Sequence, residues 1–165
     1  MTVTKPSTPF YTNDIAPERL HKLNTPYFAE EQIQTFAPEA AAIIRQNQAA
    51  RLANPAIGIR LFATEGSQTK RGGVIQKGTS PLVIVIESGE KLTVARTGDP
   101  IQYPDGSLAY IKTGAGKANG NLALVGSRLD NGDEIINTRQ RTGSICIRRD
   151  TPVASDFLPA LEDEE

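Results

Sequence analysis

The 165-residue chain is poor in the side chains that most often do chemistry. It has one Cys, one His and no Trp. A single Cys closes no internal disulfide, and no Cys/His cluster marks a metal site. A Cys–His nucleophile pair would need Cys146 and His21 to meet across most of the chain, and a Gly-x-Ser-x-Gly elbow is absent. Aromatics make up 5% and apolar residues 38%, a thin supply for a thick core. That favours a flat or elongated β-structure over a bulky globule. The net charge of −1 provides no basic field for nucleic acid. No apolar run reaches the length of a bilayer span. Met1 to Tyr11 is polar, without an apolar h-region, so no secretory signal is expected.

What is plentiful is turn chemistry, with fourteen Gly and eleven Pro. The glycines are ordered. Ala63-Thr64-Glu65-Gly66-Ser67, Ala95-Arg96-Thr97-Gly98-Asp99 and Ala123-Leu124-Val125-Gly126-Ser127 repeat one phrase, Ala-x-x-Gly-[Ser/Asp]. A spacing near 30 residues is the mark of a repeated supersecondary unit. A second glycine follows each anchor (Gly72 and Gly73, Gly106, Gly132), and then an apolar pair or run: Val74-Ile75, Leu108 to Ile111, Ile135-Ile136. The pattern predicts strand, glycine turn, strand, three times over.

Three regions are expected. Residues 1–55 form an N-terminal arm with a helical extension, 56–150 the β domain, and 151–165 a loose tail ending in the acidic run Leu161 to Glu165. A brief helix is predicted over Pro17 to Leu23 with Asp14 near its start, and another over about Phe28 to Thr35. A longer one begins at Pro38, where the missing N–H costs nothing, and stops at Asn54-Pro55. Its apolar stripe of Ile43, Ile44 and alanines predicts that it lies on another surface. Leu82-Val83-Ile84-Val85-Ile86 is the most β-prone stretch, and its lack of alternation predicts that both faces are covered or that one meets a partner.

The candidate reactive groups have plainer readings. Cys146, between Ile145 and Ile147, reads as a small buried apolar residue, and His21 as a surface or packing residue. Asp133-Glu134 sits in a tight turn and reads as solvated. Gly72-Gly73 and Gly114-Ala115-Gly116 read as turns, because no Gly-Lys-[Ser/Thr] follows.

The triplicated unit resembles the PAAR-repeat family over about residues 60–140. Its nearest counterpart to the Pro-Ala-Ala-Arg signature is Thr93-Val94-Ala95-Arg96, followed by Gly98-Asp99-Pro100. The resemblance implies a mainly β fold: a cone of three pseudo-threefold β-hairpin repeats, here with an N-terminal arm and short α-helices. It implies a structural, non-enzymatic role. Such a cap sits on the blunt end of a trimeric β-helical spike, VgrG-like or phage tail-spike-like, and sharpens it for membrane puncture. The setting implied is a contractile injection machine: type VI secretion, a phage tail or a related particle, assembled in the bacterial cytoplasm and delivered outside the cell or carried in the virion. A single chain with three like units suits a threefold trimer.

The repeat-anchor turns are then Gly66, Gly72, Gly73, Gly98, Asp99, Gly106, Gly126 and Gly132, and the expected spike-binding base is Leu82, Val83, Ile84, Val94 and Leu124. Family members often hold an apex metal with three His and one Cys. The corresponding loops here carry neither residue, and Arg71 stands where a histidine is common. No metal and no cofactor is expected, and the apex is predicted to be held by packing and hydrogen bonds among Arg71, Asp105, Asp130 and Arg128. Two other readings stand beside the cap. Residues 1–55 could make the chain an adaptor that attaches an effector or a neighbouring tail protein. The β domain could be a small β-solenoid or carbohydrate-binding module.

Overall fold

A computed structural model describes residues 9–159. The acidic run Leu161 to Glu165 and most of the polar N-terminal stretch lie outside the described residues. The fold is mixed, with 28% strand against 20% helix and three small sheets, so strand outweighs helix without excluding it. The chain divides into two compact units: residues 14–59 with 146–152, and residues 9–13, 60–145 and 153–159.

The first unit carries the helices α1 (Pro17–Leu23), α2 (Glu30–Ile33) and α3 (Pro38–Ala53). Pro17 and Pro38 open α1 and α3 where an orphan N–H would otherwise stand. Gln32 reaches back from α2 to accept the Ala29 N–H at 2.9 Å. Phe28 stacks edge-on against Phe36 at 5.2 Å. Gln48 of α3 satisfies both backbone groups of Phe28, accepting its N–H at 2.8 Å and donating to its carbonyl at 3.3 Å. The inward positions of α3 are Ala41, Ile44 and Gln48, a helical spacing. Ile43 is 59% exposed, so the expected stripe is rotated and narrowed: Ala41 and Ile44 face inward, while Ile43 and the other alanines of the helix are exposed.

Strands β1 (Ala56–Leu61) and β7 (Ser144–Arg148) pair in a two-stranded sheet. Cys146 on β7 is exposed, which corrects the expectation of burial. A ribbon covered on one face only sends alternate residues outward, and Cys146 takes an outward position between half-buried Ile145 and Ile147.

The second unit holds the repeats, and the same two backbone bonds recur in all three. The anchor amides of Gly66, Gly98 and Gly126 donate to the carbonyls of Ile75, Ile111 and Ile135 at 2.8, 2.7 and 2.8 Å. Those isoleucines donate back to Ser67, Asp99 and Ser127 at 2.9, 3.0 and 2.9 Å. This defines hairpins over 67–75, 99–111 and 127–135. They include β2 (Val74–Ile75), β5 (Pro100–Gln102) and β6 (Leu108–Tyr110). Each hairpin pairs with the next. Ile75 lies opposite Ile101, Ile111 opposite Leu129, and Ile135 opposite Thr69, which returns to the first. A closed cycle leaves these hairpin edges paired, which removes a template for aggregation.

The repeated alanines close a second cycle. Ala63 N–H donates to Ala123 O (2.9 Å), Ala123 to Ala95 O (2.8 Å) and Ala95 to Ala63 O (2.9 Å). All three are fully buried and pack with Ile75, Ile101, Ile111, Leu129 and Ile135 in one core cluster. Only a methyl-sized side chain suits three strands meeting so closely, which accounts for the Ala in the phrase.

The chain ends of this unit join the repeats. Tyr11 exchanges backbone bonds with Thr138 at 2.8 and 3.0 Å, and Leu158 N–H donates to Gly114 O at 2.8 Å. Thr138 and Gly114 occupy the same position of their repeats, three residues after Ile135 and Ile111. Residues 9–13 and 153–159 are therefore grouped with the repeats.

Candidate functional site

The hairpin turns meet in a polar cluster. Asp133, only 2% exposed, lies on the third hairpin. Its Oδ2 accepts from Thr69 Oγ1 (2.5 Å) on the first hairpin and from Tyr103 Oη (2.6 Å) on the second. Its Oδ1 accepts the N–H groups of Glu134 (2.8 Å) and Arg71 (3.2 Å). Asn131 donates to Tyr103 Oη at 3.0 Å, and the Arg71 guanidinium reaches Asn131 O at 3.0 Å. Burial works against the charge on Asp133, but the hydrogen bonds from Thr69, Tyr103, Glu134 and Arg71 outweigh it and hold the carboxyl below the usual range. Burial, then the bond to Asp133, pushes the Tyr103 hydroxyl up. The neighbouring charges are paired among themselves: Lys70 and Arg128 both meet Glu134, at 3.6 and 3.4 Å.

This cluster corrects two expectations. Asp133 is not solvated; it is the acceptor on which the turns converge. Of the four residues expected to hold the apex, only Arg71 joins this cluster through its own atoms. Asp105 is turned to Ser107, Asp130 accepts the Tyr110 N–H, and Arg128 caps Gly132 O. A sequence signal existed. Asp133 stands two residues before Ile135, as Gly73 and Ala109 stand before Ile75 and Ile111. An inward position with small side chains in two repeats and a carboxylate in the third demands donors.

The anchor turns are placed as their glycines allow. Gly66, Gly72, Gly98, Gly106, Gly126 and Gly132 all have φ between +86° and +107°. Gly73 is needed for space instead: a Cβ there would lie 2.6 Å from Ile101 Cγ2. Asp99 is buried and caps its own repeat, accepting the Arg96 N–H at 3.0 Å, as Ser67 and Ser127 do for Thr64 and Leu124.

The expected spike-binding residues separate. Val94 and Leu124 are fully buried and present no surface, a correction to the expected apolar base. They sit in the strands of the alanine ring, where antiparallel bridges Thr64–Val94 and Phe62–Leu124 enclose them. Leu82 (38% exposed), Val83 (46%) and Ile84 lie at a ribbon formed by β3 (Val83–Val85) and β4 (Lys91–Thr93). Ile84 pairs with buried Leu92 and points in, while Val83 and Val85 point out. The ribbon is braced by Arg139–Glu90 at 2.7 Å and Arg141–Glu87 at 3.1 Å. Beside it is a cleft of about 290 Å³ lined by Tyr11, Val85, Ile86, Arg139 and Arg141 among others.

The helical unit has its own groove of about 580 Å³, bordered by Leu23, Tyr27, Phe28, Ile44, Arg51 and Leu52. His21 is on the exposed surface of α1. Among the described residues, no three His, Cys, Asp or Glu side chains are grouped to hold a metal ion, and no helix is long and apolar enough to cross a membrane. Comparison with family models, with curated proteins and with solved structures found no match to this chain.

Proposed function

We propose that the chain is a non-enzymatic, PAAR-like tip cap for a trimeric β-helical spike, a cone of three hairpins that sharpens the spike for membrane puncture in a contractile injection machine. The observation that carries this reading is the alanine cycle. One chain builds a ring in which Ala63, Ala95 and Ala123 each donate to the next. A body with three like sides made by a single chain has one natural complement, a partner with a threefold axis. Hairpins closed edge to edge and short glycine turns suit a narrow, stiff point.

The expected complex is one chain per spike trimer. It is tested by mixing the chain with a trimeric β-helical spike protein from the same source and measuring the mass of the complex. A one-to-three mass supports the reading; a free monomer at micromolar concentrations of both proteins rejects it. The docking face in this reading includes exposed Leu82 and Val83, without Val94 and Leu124.

The second reading, an adaptor that attaches an effector or a tail protein, is favoured by the helical unit. Its groove is bordered by Tyr27 at 83% and Leu52 at 53% exposure, large apolar side chains left open to a partner. Tyr27→Ser with Leu52→Ser should abolish such attachment while the chain still joins the spike.

A further inference from the structure

The three hairpins approach one another at their turns through groups that differ in each repeat. The first supplies a hydroxyl and an amide, Thr69 Oγ1 and Arg71 N–H; the second a phenol, Tyr103; the third the carboxylate, Asp133. Thr69 Oγ1 itself accepts the Gly73 N–H at 2.9 Å, so the carboxylate's bond continues into the turn of the first hairpin. Tyr103 Oη accepts from Asn131, which ties the second hairpin to the third twice. Asn131 O receives Arg71, which ties the third to the first again. All six bonds cross from hairpin to hairpin or lead into a glycine turn, and three of them end on Asp133.

We propose that Asp133 is a clamp that makes the three turns open as one unit instead of fraying singly. Each hairpin pairs with itself over only one to three positions: Gln68–Val74 in the first, Pro100–Tyr110 to Gln102–Leu108 in the second and Arg128–Glu134 in the third, which alone is marginal in water. A buried carboxylate receiving four bonds, one of them from each of its two neighbouring hairpins through a hydroxyl, converts three weak ends into one cooperative end. Charge-assisted bonds are roughly twice as strong as neutral ones, and leaving their donors buried without the acceptor is costly. The clamp rests on these contacts alone and holds whether or not the chain caps a spike.

Amide hydrogen exchange reads it directly. The turn amides of Gly72, Gly106 and Gly132 donate to Thr69, Tyr103 and Leu129 and serve as one probe per hairpin. In the full chain their protection factors should be similar. Asp133→Ala should reduce all three together by about 10- to 100-fold, the loss of one or two charge-assisted bonds, with the Ala63, Ala95 and Ala123 amides unaffected. A loss confined to Gly132, in the hairpin that carries the substitution, would overturn the proposal. If Asp133→Ala does not fold, Tyr103→Phe removes a single oxygen and is read the same way. It should deprotect Gly72 in the first hairpin, Gly106 in the second and Gly132 in the third together. A loss confined to Gly106, in the hairpin that carries this substitution, would equally overturn the clamp.

Discussion

Ala95 shows how much a single methyl can specify. It is fully buried on the ring where three strands exchange backbone bonds, and a larger side chain has no space without moving all three. Ala95→Leu should cost about 1–3 kcal/mol or more by urea unfolding, the usual cost of overpacking. Ala42→Leu, on the exposed side of α3, should stay within about 0.5 kcal/mol. Asp133 and Tyr103 each make a pH-dependent contribution to stability. The folded-state pKa of Asp133 is depressed below the ordinary 3.8, so its contribution is present above that pH and is lost as pH falls through the lower folded value. That of Tyr103 is raised above 10.0, so its contribution is full below pH 10 and is lost as pH rises through the folded value. Unfolding free energy should therefore hold a plateau from about pH 4 to pH 10 as far as this pair is concerned, and Asp133→Asn should flatten the acid limb.

At the scale of elements, the three repeats differ in how they cap one another. The Gln68 N–H is received by Asn137 Oδ1 at 2.9 Å and the Arg128 N–H by Thr113 Oγ1 at 2.8 Å. The equivalent residue in the second repeat is Pro100, which has no N–H, and the position facing it is Lys77, which is exposed. Asn137→Ala should thus cost about 1 kcal/mol or somewhat more, a half-buried donor left without its acceptor, whereas Lys77→Ala should be nearly neutral. Thermal unfolding of the two variants side by side checks this. The β3–β4 ribbon invites the opposite experiment. Val83→Asp with Val85→Asp alters an outward face and should change stability by less than about 1 kcal/mol. If the ribbon docks on a spike, the same variant should fail to co-elute with it.

For the whole molecule, the division into units relocates the chain's ends. Asn13 accepts the Leu61 N–H at 2.8 Å and donates to Val125 O at 2.8 Å, bridging two strands of the ring. A truncation at residue 13 should lower the melting temperature of the repeat unit, because the Tyr11–Thr138 pair and both Asn13 bonds go with it. Asn13→Ala alone should cost about 1–3 kcal/mol. A melting temperature unchanged in both variants would show that residues 9–13 lie on the repeats without supporting them.

Local chemistry was legible from the residue order. Pro17, Pro38 and Asn54-Pro55 set the limits of α1 and α3, because proline's missing N–H and fixed φ act within one turn. The spaced Ala-x-x-Gly phrase set the three turns, because positive φ is a property glycine carries by itself. Burial was decided elsewhere. Asp133 became an enclosed acceptor, Val94 and Leu124 became enclosed strands, and Cys146 and Ile43 turned outward. Each of these depends on which surface arrives from far along the chain. Ala63 meets Ala123, Thr69 meets Asp133 and Tyr11 meets Thr138. The sequence by itself determined where the chain turns and how often it repeats. Only the tertiary structure decided that the repeats close into a cycle, and closure fixes which polar groups are shut in together and must be paired.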